Sequence, residues 1–379
     1  MSQAELVAES AVATTPATDF LPLNGIDHLE FFVGNAKQSA YYYRAAFGFS
    51  IRGYAGLETG LRDRTSYLLE QGKVRIVLTT PLTQDSYINA LLAKHGDGVN
   101  SIAIEVNDVE KAYKETTKRG AVGVQEPREI TDENGTFKTA SIKTYGDTLH
   151  TFVERKNYKG FAPGFKAITE PDPVARPTGI AAVDHIVGNV GWNEMNKWVK
   201  WYEEVMGFHV FISFDDSDIS TEYSALMSKV MASGSEKIKF PINEPATGKK
   251  KSQIEEYVEW YNGPGVQHIA LITGDILSTV KKLSEQGVEF LRVPSSYYRE
   301  LEARVGKINE PIDKLEELGI LVDSDDDGYM LQIFTKPVED RPTVFFEIIQ
   351  RRGARSFGKG NFKALFESIE REQALRGNL

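Results

Sequence analysis

Three residues in the C-terminal half of this 379-residue chain have the types and settings to do chemistry. His268 lies in Gly263-Pro-Gly-Val-Gln-His-Ile-Ala-Leu271, His185 in Ala182-Val-Asp-His-Ile186, and Glu347 in Thr343-Val-Phe-Phe-Glu347. Two glycines and a proline ahead of Val266 predict a turn running straight into a strand. Side chains alternate along a strand, so Val266, His268 and Ala270 are expected on one face and Gln267, Ile269 and Leu271 on the other. A lone histidine there is ordinarily a core imidazole satisfied by a carbonyl. Two imidazoles and a carboxylate at equivalent strand positions are a different object. That set binds non-haem Fe(II) and leaves open positions for substrate and oxygen. One Fe(II) per chain is expected, on His185, His268 and Glu347.

The equivalence rests on an internal repeat, the feature to seek first in a chain of this length. Gly96-Asp-Gly-Val-Asn-Ser-Ile-Ala-Ile104 repeats the pattern around His268, and both copies lead into amphipathic stretches ending at glycine, over 107–120 and 273–287. Gly25-Ile-Asp-His-Leu29, Val33-Gly-Asn35 and Ala46-Phe-Gly-Phe49 match Ala182-Val-Asp-His-Ile186, Val187-Gly-Asn189 and Val205-Met-Gly-Phe208. Leu149-His-Thr-Phe-Val-Glu154 is matched with the segment ending at Glu347. The N-terminal half therefore offers His28, Ser101 and Glu154. Serine is a poor substitute for the second imidazole, so that half is expected to be metal-free.

The elements that must position these residues recur as strand, helix, then three strands. The expected fold class is α+β: tandem strand-helix-three-strand modules forming two open-barrel domains, with a C-terminal lid helix. The expected division is a disordered tail over 1–20, an N-terminal domain of two modules over 21–157, a linker over 158–178, and a catalytic domain over 179–379. The linker carries Pro163, Pro171, Pro173 and Pro177. The first twenty residues have neither a basic start nor an apolar central run, so no secretory signal is expected.

A net charge of -10 argues against nucleic acid or an anionic membrane as the partner. No cysteine occurs, which removes disulfide and thiolate chemistry and fits a cytoplasmic location. No apolar run is long enough to span a bilayer. Residues 235–252 are read as an insertion in the second half, with Lys249-Lys-Lys251 a solvated loop. Ser324-Asp-Asp-Asp-Gly328 lacks the spacing and closing glutamate of a calcium loop and is read as a hairpin turn. After glycines 353, 358 and 360, Phe362, Leu365, Phe366 and Ile369 share one helical face. That stripe is either core packing or a lid over the open end of the sheet.

Along nearly its whole length after the tail, the chain resembles the 4-hydroxyphenylpyruvate dioxygenase family of the vicinal oxygen chelate superfamily. The resemblance is carried by Val183-Asp-His-Ile-Val-Gly-Asn189, Phe240-Pro-Ile-Asn-Glu-Pro245, Lys251-Ser-Gln-Ile254, Gly265-Val-Gln-His-Ile269, Leu331-Gln-Ile-Phe-Thr-Lys336, Phe345-Phe-Glu-Ile-Ile349 and Phe357-Gly-Lys-Gly-Asn-Phe362. It implies Fe(II) on His185, His268 and Glu347. It places Ser228, Asn243, Gln253, Gln267 and Gln332 around the substrate, with Phe334, Phe345, Phe357 and Phe362 as aromatic walls. Gln267, Gln332 and Phe362 would stand at the reacting end.

The implied reaction joins 4-hydroxyphenylpyruvate and O2, loses CO2 from the substrate's own 2-oxo acid, hydroxylates the ring and moves the side chain to give homogentisate. No separate 2-oxo acid and no protein base are needed. The expected assembly is a homo-oligomer, dimer or tetramer. Two alternatives stay open: 4-hydroxymandelate synthase, which uses the same iron site and substrate but hydroxylates the benzylic carbon, and a non-catalytic binding or resistance protein on the same fold.

Overall fold

The computed structural model describes residues 19–216 and 220–378, so the tail expected over 1–20 lies outside the described residues apart from its last two. The N-terminal sheet contains β1 (Leu23–Phe32), β2 (Ser50–Ala55), β3 (Arg64–Gln71), β4 (Val74–Pro81), β5 (Gly98–Val106), β6 (Gly123–Asp132), β7 (Gly135–Lys143), β8 (Leu149–Glu154) and β9 (Lys166–Ala167). The C-terminal sheet contains β10 (Ile180–Asn189), β11 (His209–Phe214), β12 (Ala225–Ala232), β13 (Lys239–Ala246), β14 (Gly265–Thr273), β15 (Leu321–Asp325), β16 (Gly328–Phe334) and β17 (Phe345–Arg352). The helices are α1 (Ala36–Phe47), α2 (Tyr87–His95), α3 (Val109–Lys118), α4 (Met195–Met206), α5 (Gln253–Tyr261), α6 (Ile276–Glu285), the short α7 (Ser296–Arg299), α8 (Leu301–Val305) and α9 (Ile312–Leu318), and α10 (Phe362–Leu375).

Strand order makes the repeat explicit. It runs β6-β7-β8-β5-β1-β4-β3-β2-β9 in the first sheet and β11-β12-β13-β10-β14-β17-β16-β15 in the second. In each half two strand-helix-three-strand modules meet along a central antiparallel pair, β1 with β5 and β10 with β14. Each central strand also pairs in parallel with the last strand of its own module, as β14 does with β17. The result is two curled half-barrels whose concave faces can hold a ligand.

Local chemistry agrees with this layout. Asn35, Asp108 and Asp275 cap α1, α3 and α6 by accepting a backbone N–H three residues on. Ser252 and Glu255 form a capping box that starts α5. One apolar core runs through both halves, and Phe47 of α1 packs on Phe346 of β17 at 5.0 Å between ring centroids. Among the described residues no helix is long and apolar enough to cross a membrane.

Three expectations need correction. Residues 239–246, read within an insertion, are a full strand: β13 pairs with β12 along its whole length despite Pro241 and Pro245. Simple alternation fails along β14, because the register against β10 slips between His268 and Val266 and leaves Gln267 as an extra, bulged residue. The third correction concerns Glu154. In β17 Glu347 lies opposite Ala270, and in β8 the residue opposite the matching Ala103 is Thr151. Glu154 instead corresponds to Gln350. Each accepts the first backbone N–H of its own module's helix, from Val109 of α3 at 3.1 Å and Ile276 of α6 at 2.8 Å. Both segments end in glutamate, and without a strand register that chance match decides the alignment.

The expected turn at 324–328 is a tight hairpin between β15 and β16. Lys249 and Lys251 of the basic run pair with Glu222 and Glu259 at the surface.

Candidate metal centre and substrate cavity

His185, His268 and Glu347 come from the three adjacent strands β10, β14 and β17, and all point into the concave face of the second sheet. One ligand atom from each lies within 4.8 Å of the others. His185 Nε2 is 3.1 Å from Glu347 Oε2, and His268 Nε2 is 3.5 Å from the same oxygen. Glu347 is 2% exposed, and its Oε1 has no hydrogen-bond partner. A buried carboxylate oxygen left unmet beside two imidazoles is costly unless a cation takes it up. The donor set of two nitrogens and one carboxylate fits a divalent first-row metal with open positions.

The electrostatics agree. Burial alone would raise the Glu347 carboxyl, but His185 and His268 outweigh it and hold its pKa down to about 2. Burial would likewise lower His185, yet Glu347 and Asp184 leave it raised. For His268 burial wins over the pull of Glu347, and its pKa is lowered.

The two imidazoles present Nε2 because their other nitrogens are occupied. His185 Nδ1 donates to Asp184 Oδ1 at 2.7 Å, and His268 Nδ1 donates to Gln267 Oε1 at 2.9 Å. Such outer partners fix the tautomer and aim of a ligating imidazole. In both cases the partner is the preceding residue, which regular alternation would send to the opposite face. A bulge solves the problem at each position. The β10–β14 register slips at Asp184 just as it does at Gln267.

Asp184 is in turn gripped by Arg351, through Nε and Nη2 at 2.8 Å each. That guanidinium holds the Asp184 carboxyl well below the usual carboxylate range against the opposing effect of burial. The third nitrogen of Arg351 donates to the carbonyls of Ala354 at 3.1 Å and Ser356 at 2.7 Å. Neither Asp184 nor Arg351 was singled out from the sequence. The available signal was the aspartate before the histidine in both repeats, Asp27-His28 and Asp184-His185, and the arginines Arg155 and Arg351 near the end of each half.

The His185-His268-Glu347 group forms the floor of a cavity, open on one side, with an empty volume of about 590 Å³. Phe345 stacks on His268 at 4.9 Å and 21°, Phe334 meets that ring edge-on, and Phe357 meets His185 edge-on at 4.9 Å. Ser228 and Asn243 face each other across β12 and β13, and Gln253 enters from the first turn of α5. Gln267 and Phe362 complete the sequence-predicted lining. Gln332 does not line the cavity. It is 1% exposed, stands beside Gly358, and has an unpartnered Nε2. A side chain at 358 would collide with that amide, and the backbone there has φ +78°, so glycine meets both demands.

The stripe on α10 roofs the cavity: Phe362, Leu365, Phe366 and Ile369 all line it. The helix is pinned outside the cavity. Glu370 accepts from Ser224 Oγ at 2.6 Å and from Thr221, and just past the helix Arg376 clamps the buried Glu256 through two nitrogens at 2.9 and 2.7 Å. The stripe therefore packs and closes at once, and the two readings of it were not exclusive.

The matching positions in the first sheet hold His28, Ser101 and Thr151, with Ser101 Oγ 2.7 Å from Thr151 Oγ1. Among the described residues the C-terminal trio is the one group of three such side chains placed to hold a metal.

The family model of the glyoxalase/bleomycin resistance protein/dioxygenase superfamily matches residues 25–147 and 182–333. Proteins named 4-hydroxyphenylpyruvate dioxygenase from Yarrowia lipolytica and Dictyostelium discoideum are each 51% identical to this chain. The alignments cover 94% of the chain and 93% and 100% of those proteins. The protein of that name from Caenorhabditis elegans is 49% identical, with 93% of each chain covered. Among solved structures, a triple mutant of 4-hydroxymandelate synthase from Streptomyces coelicolor superposes with a TM-score of 0.82 at 29% identity. It covers 93% of this chain and 100% of that one.

Proposed function

The chain belongs to the 4-hydroxyphenylpyruvate dioxygenase family within the glyoxalase/bleomycin resistance protein/dioxygenase superfamily, and on that basis we propose that it converts 4-hydroxyphenylpyruvate and O2 to homogentisate and CO2. The observation that carries the reading is the His185-His268-Glu347 group beneath an aromatic-walled cavity. The atoms balance without a further reactant: one oxygen atom enters the ring, the other enters the new carboxylate, and the old carboxyl leaves as CO2.

Fe(II), one per chain, would be held by the Nε2 atoms of His185 and His268 and by Glu347, and when bound it supplies the O2 chemistry that no side chain can. The protein's own share is placement and exclusion. Asp184 and Gln267 keep both imidazoles aimed at one point. Phe334 and Phe345 wall the reacting end, while Ser228, Asn243 and Gln253 offer neutral hydrogen bonds to a phenol. Gln267 is better read as the support of His268 than as a substrate contact alone. The unpartnered Nε2 of Gln332, behind Gly358, supports a role in setting the strap beneath the lid. Phe357 and the α10 stripe keep water from the reacting centre.

The test is O2 uptake with 4-hydroxyphenylpyruvate on iron-loaded protein, with products separated by chromatography. Homogentisate is expected. 4-Hydroxymandelate would favour the benzylic alternative, which the 29% identity to that synthase supports less than the 51% identities support the main reading. Stoichiometric iron without O2 uptake would return the protein to the binding class.

A further inference from the structure

The N-terminal half-barrel is not filled. Its concave face holds a hollow, open to solvent at its mouth, with an empty volume of about 940 Å³, larger than the cavity over His185, His268 and Glu347. The hollow lies at the equivalent place in the repeat, and part of the ligand-positioning apparatus survives there. Arg155 clamps Asp27 through two nitrogens at 2.6 and 2.8 Å, and Asp27 takes His28 Nδ1–H at 2.6 Å. Arg155, Asp27 and His28 thus repeat Arg351, Asp184 and His185. His28 is aimed into the hollow with its Nε2 unpartnered among the described residues.

The other positions equivalent to the C-terminal site have changed character. By strand register, Ser101, Thr151, Ser141 and Thr139 stand where the second sheet has His268, Glu347, Phe334 and Gln332. Ser101, Thr151 and Ser141 form a chain of hydroxyls at 2.7 and 2.9 Å. Ser101 and Ser141 sit behind and satisfy the Thr151 hydroxyl, while Thr151 and Thr139 face the hollow with His28 and make that part of its wall polar where mere packing would call for apolar groups. The mouth adds charge. Arg64 and Arg128 line it against one carboxylate, Glu30, whose Oε1 already accepts from Thr79. Among the described residues the Arg64 guanidinium is engaged by the exposed Asp63 alone, and such pairs exchange partners at little cost. Opposite, Phe161 lies edge-on to His28 at 5.1 Å and is held from behind by the Arg155 guanidinium.

We propose that this hollow is a metal-free binding site for a small aromatic acid, with its ring against Phe161 and Phe165, its carboxylate toward Arg64 and Arg128, and a polar substituent at His28 and Thr151. The proposed substrate and product are of that chemical class, but the inference does not rest on the reaction.

The probe is 4-hydroxyphenylacetate, an aromatic acid without a chelating 2-oxo group, titrated calorimetrically into the full-length, metal-free chain. The wild-type protein should take up two equivalents per chain. Arg64→Glu/Arg128→Glu should take up one, with an unchanged melting temperature. Ser228→Phe, which fills the C-terminal cavity, should keep the N-terminal equivalent. Adding the two charge reversals to it should weaken that remaining binding at least about tenfold. A single equivalent in wild type that the charge reversals leave untouched overturns the proposal. So does a Ser228→Phe chain that folds and binds none.

Discussion

Arg351 and Asp184 are joined by two parallel hydrogen bonds of 2.8 Å, and the same guanidinium holds the carbonyls of Ala354 and Ser356. One side chain therefore connects the support of His185, a candidate metal ligand, to the strap that leads into α10. Lysine at 351 keeps the charge but cannot make the paired grip and the strap contacts together. We expect Arg351→Lys to lower iron affinity by up to about 10-fold, less than the roughly 10- to 100-fold usual for losing a direct outer partner of a ligating histidine, because Asp184 stays beside His185. Competition with a coloured chelator measures it. Limited proteolysis should at the same time cut more readily after residue 353. Wild-type affinity with a tight strap would show that the link is ornamental.

The repeat supplies a constructive test of the ligand assignment. Alanine at His185, His268 or Glu347 should abolish stoichiometric iron, whereas His28→Ala and Glu154→Ala should leave it at one per chain. The strand register goes further. Ser101→His with Thr151→Glu rebuilds the full trio beside His28, so that double variant should bind a second equivalent of divalent metal by elemental analysis. Ser101→His alone should not, because Glu154 is occupied at the start of α3. A second equivalent in the single variant would restore Glu154 as the counterpart of Glu347.

Phe362 lines the cavity and braces edge-on against Phe214 at 5.1 Å. Ring attack and benzylic attack are decided by which carbon is held nearer the reacting centre. A difference of about 1.4 kcal/mol between the two barriers changes the product ratio tenfold. Phe362→Ile should retain iron and decarboxylation while moving part of the product from homogentisate to 4-hydroxymandelate. An unchanged product profile at full rate would remove Phe362 from the determinants of outcome.

Removal of residues 357–379 should leave a folded, iron-binding protein, because the α10 side chains belong to small satellite clusters and not to the continuous core. Without the roof the cavity stands open to water. Turnover should fall, and more O2 should be consumed per homogentisate formed. Failure of the shortened chain to fold would assign α10 a mainly structural role.

Glu339 gives a pH-dependent prediction away from the site. Burial, reinforced by Asp97 and Asp340, pushes its carboxyl from 4.5 up to about 8. The folded state thus favours the protonated acid, and stability is lost as pH rises from about 4.5 to about 8. Glu339→Gln stays neutral throughout, so its melting temperature should increasingly exceed that of the wild type across that window. A constant difference between pH 5 and pH 9, measured calorimetrically, would sink this account.

The sequence alone determined the modular plan, the two histidines and the glutamate, and the aromatic stripe on the last helix. The modules show as recurring segments, His185 as a histidine repeated at His28, and the stripe as helical spacing; His268 and Glu347 do not recur in kind and were located by the repeated segments around them. Only the tertiary structure decided which residues of different strands lie opposite one another. That register replaced Glu154 by Thr151 as the counterpart of Glu347, and it revealed Asp184 and Gln267 as bulged residues supporting the histidines that follow them. A bulge is a relation between two strands and leaves no periodic mark in either one. The Arg351–Asp184 grip spans 167 residues for the same reason. No local pattern links the two side chains, and only the closing of β17 beside β14 and β10 brings the guanidinium to the carboxylate.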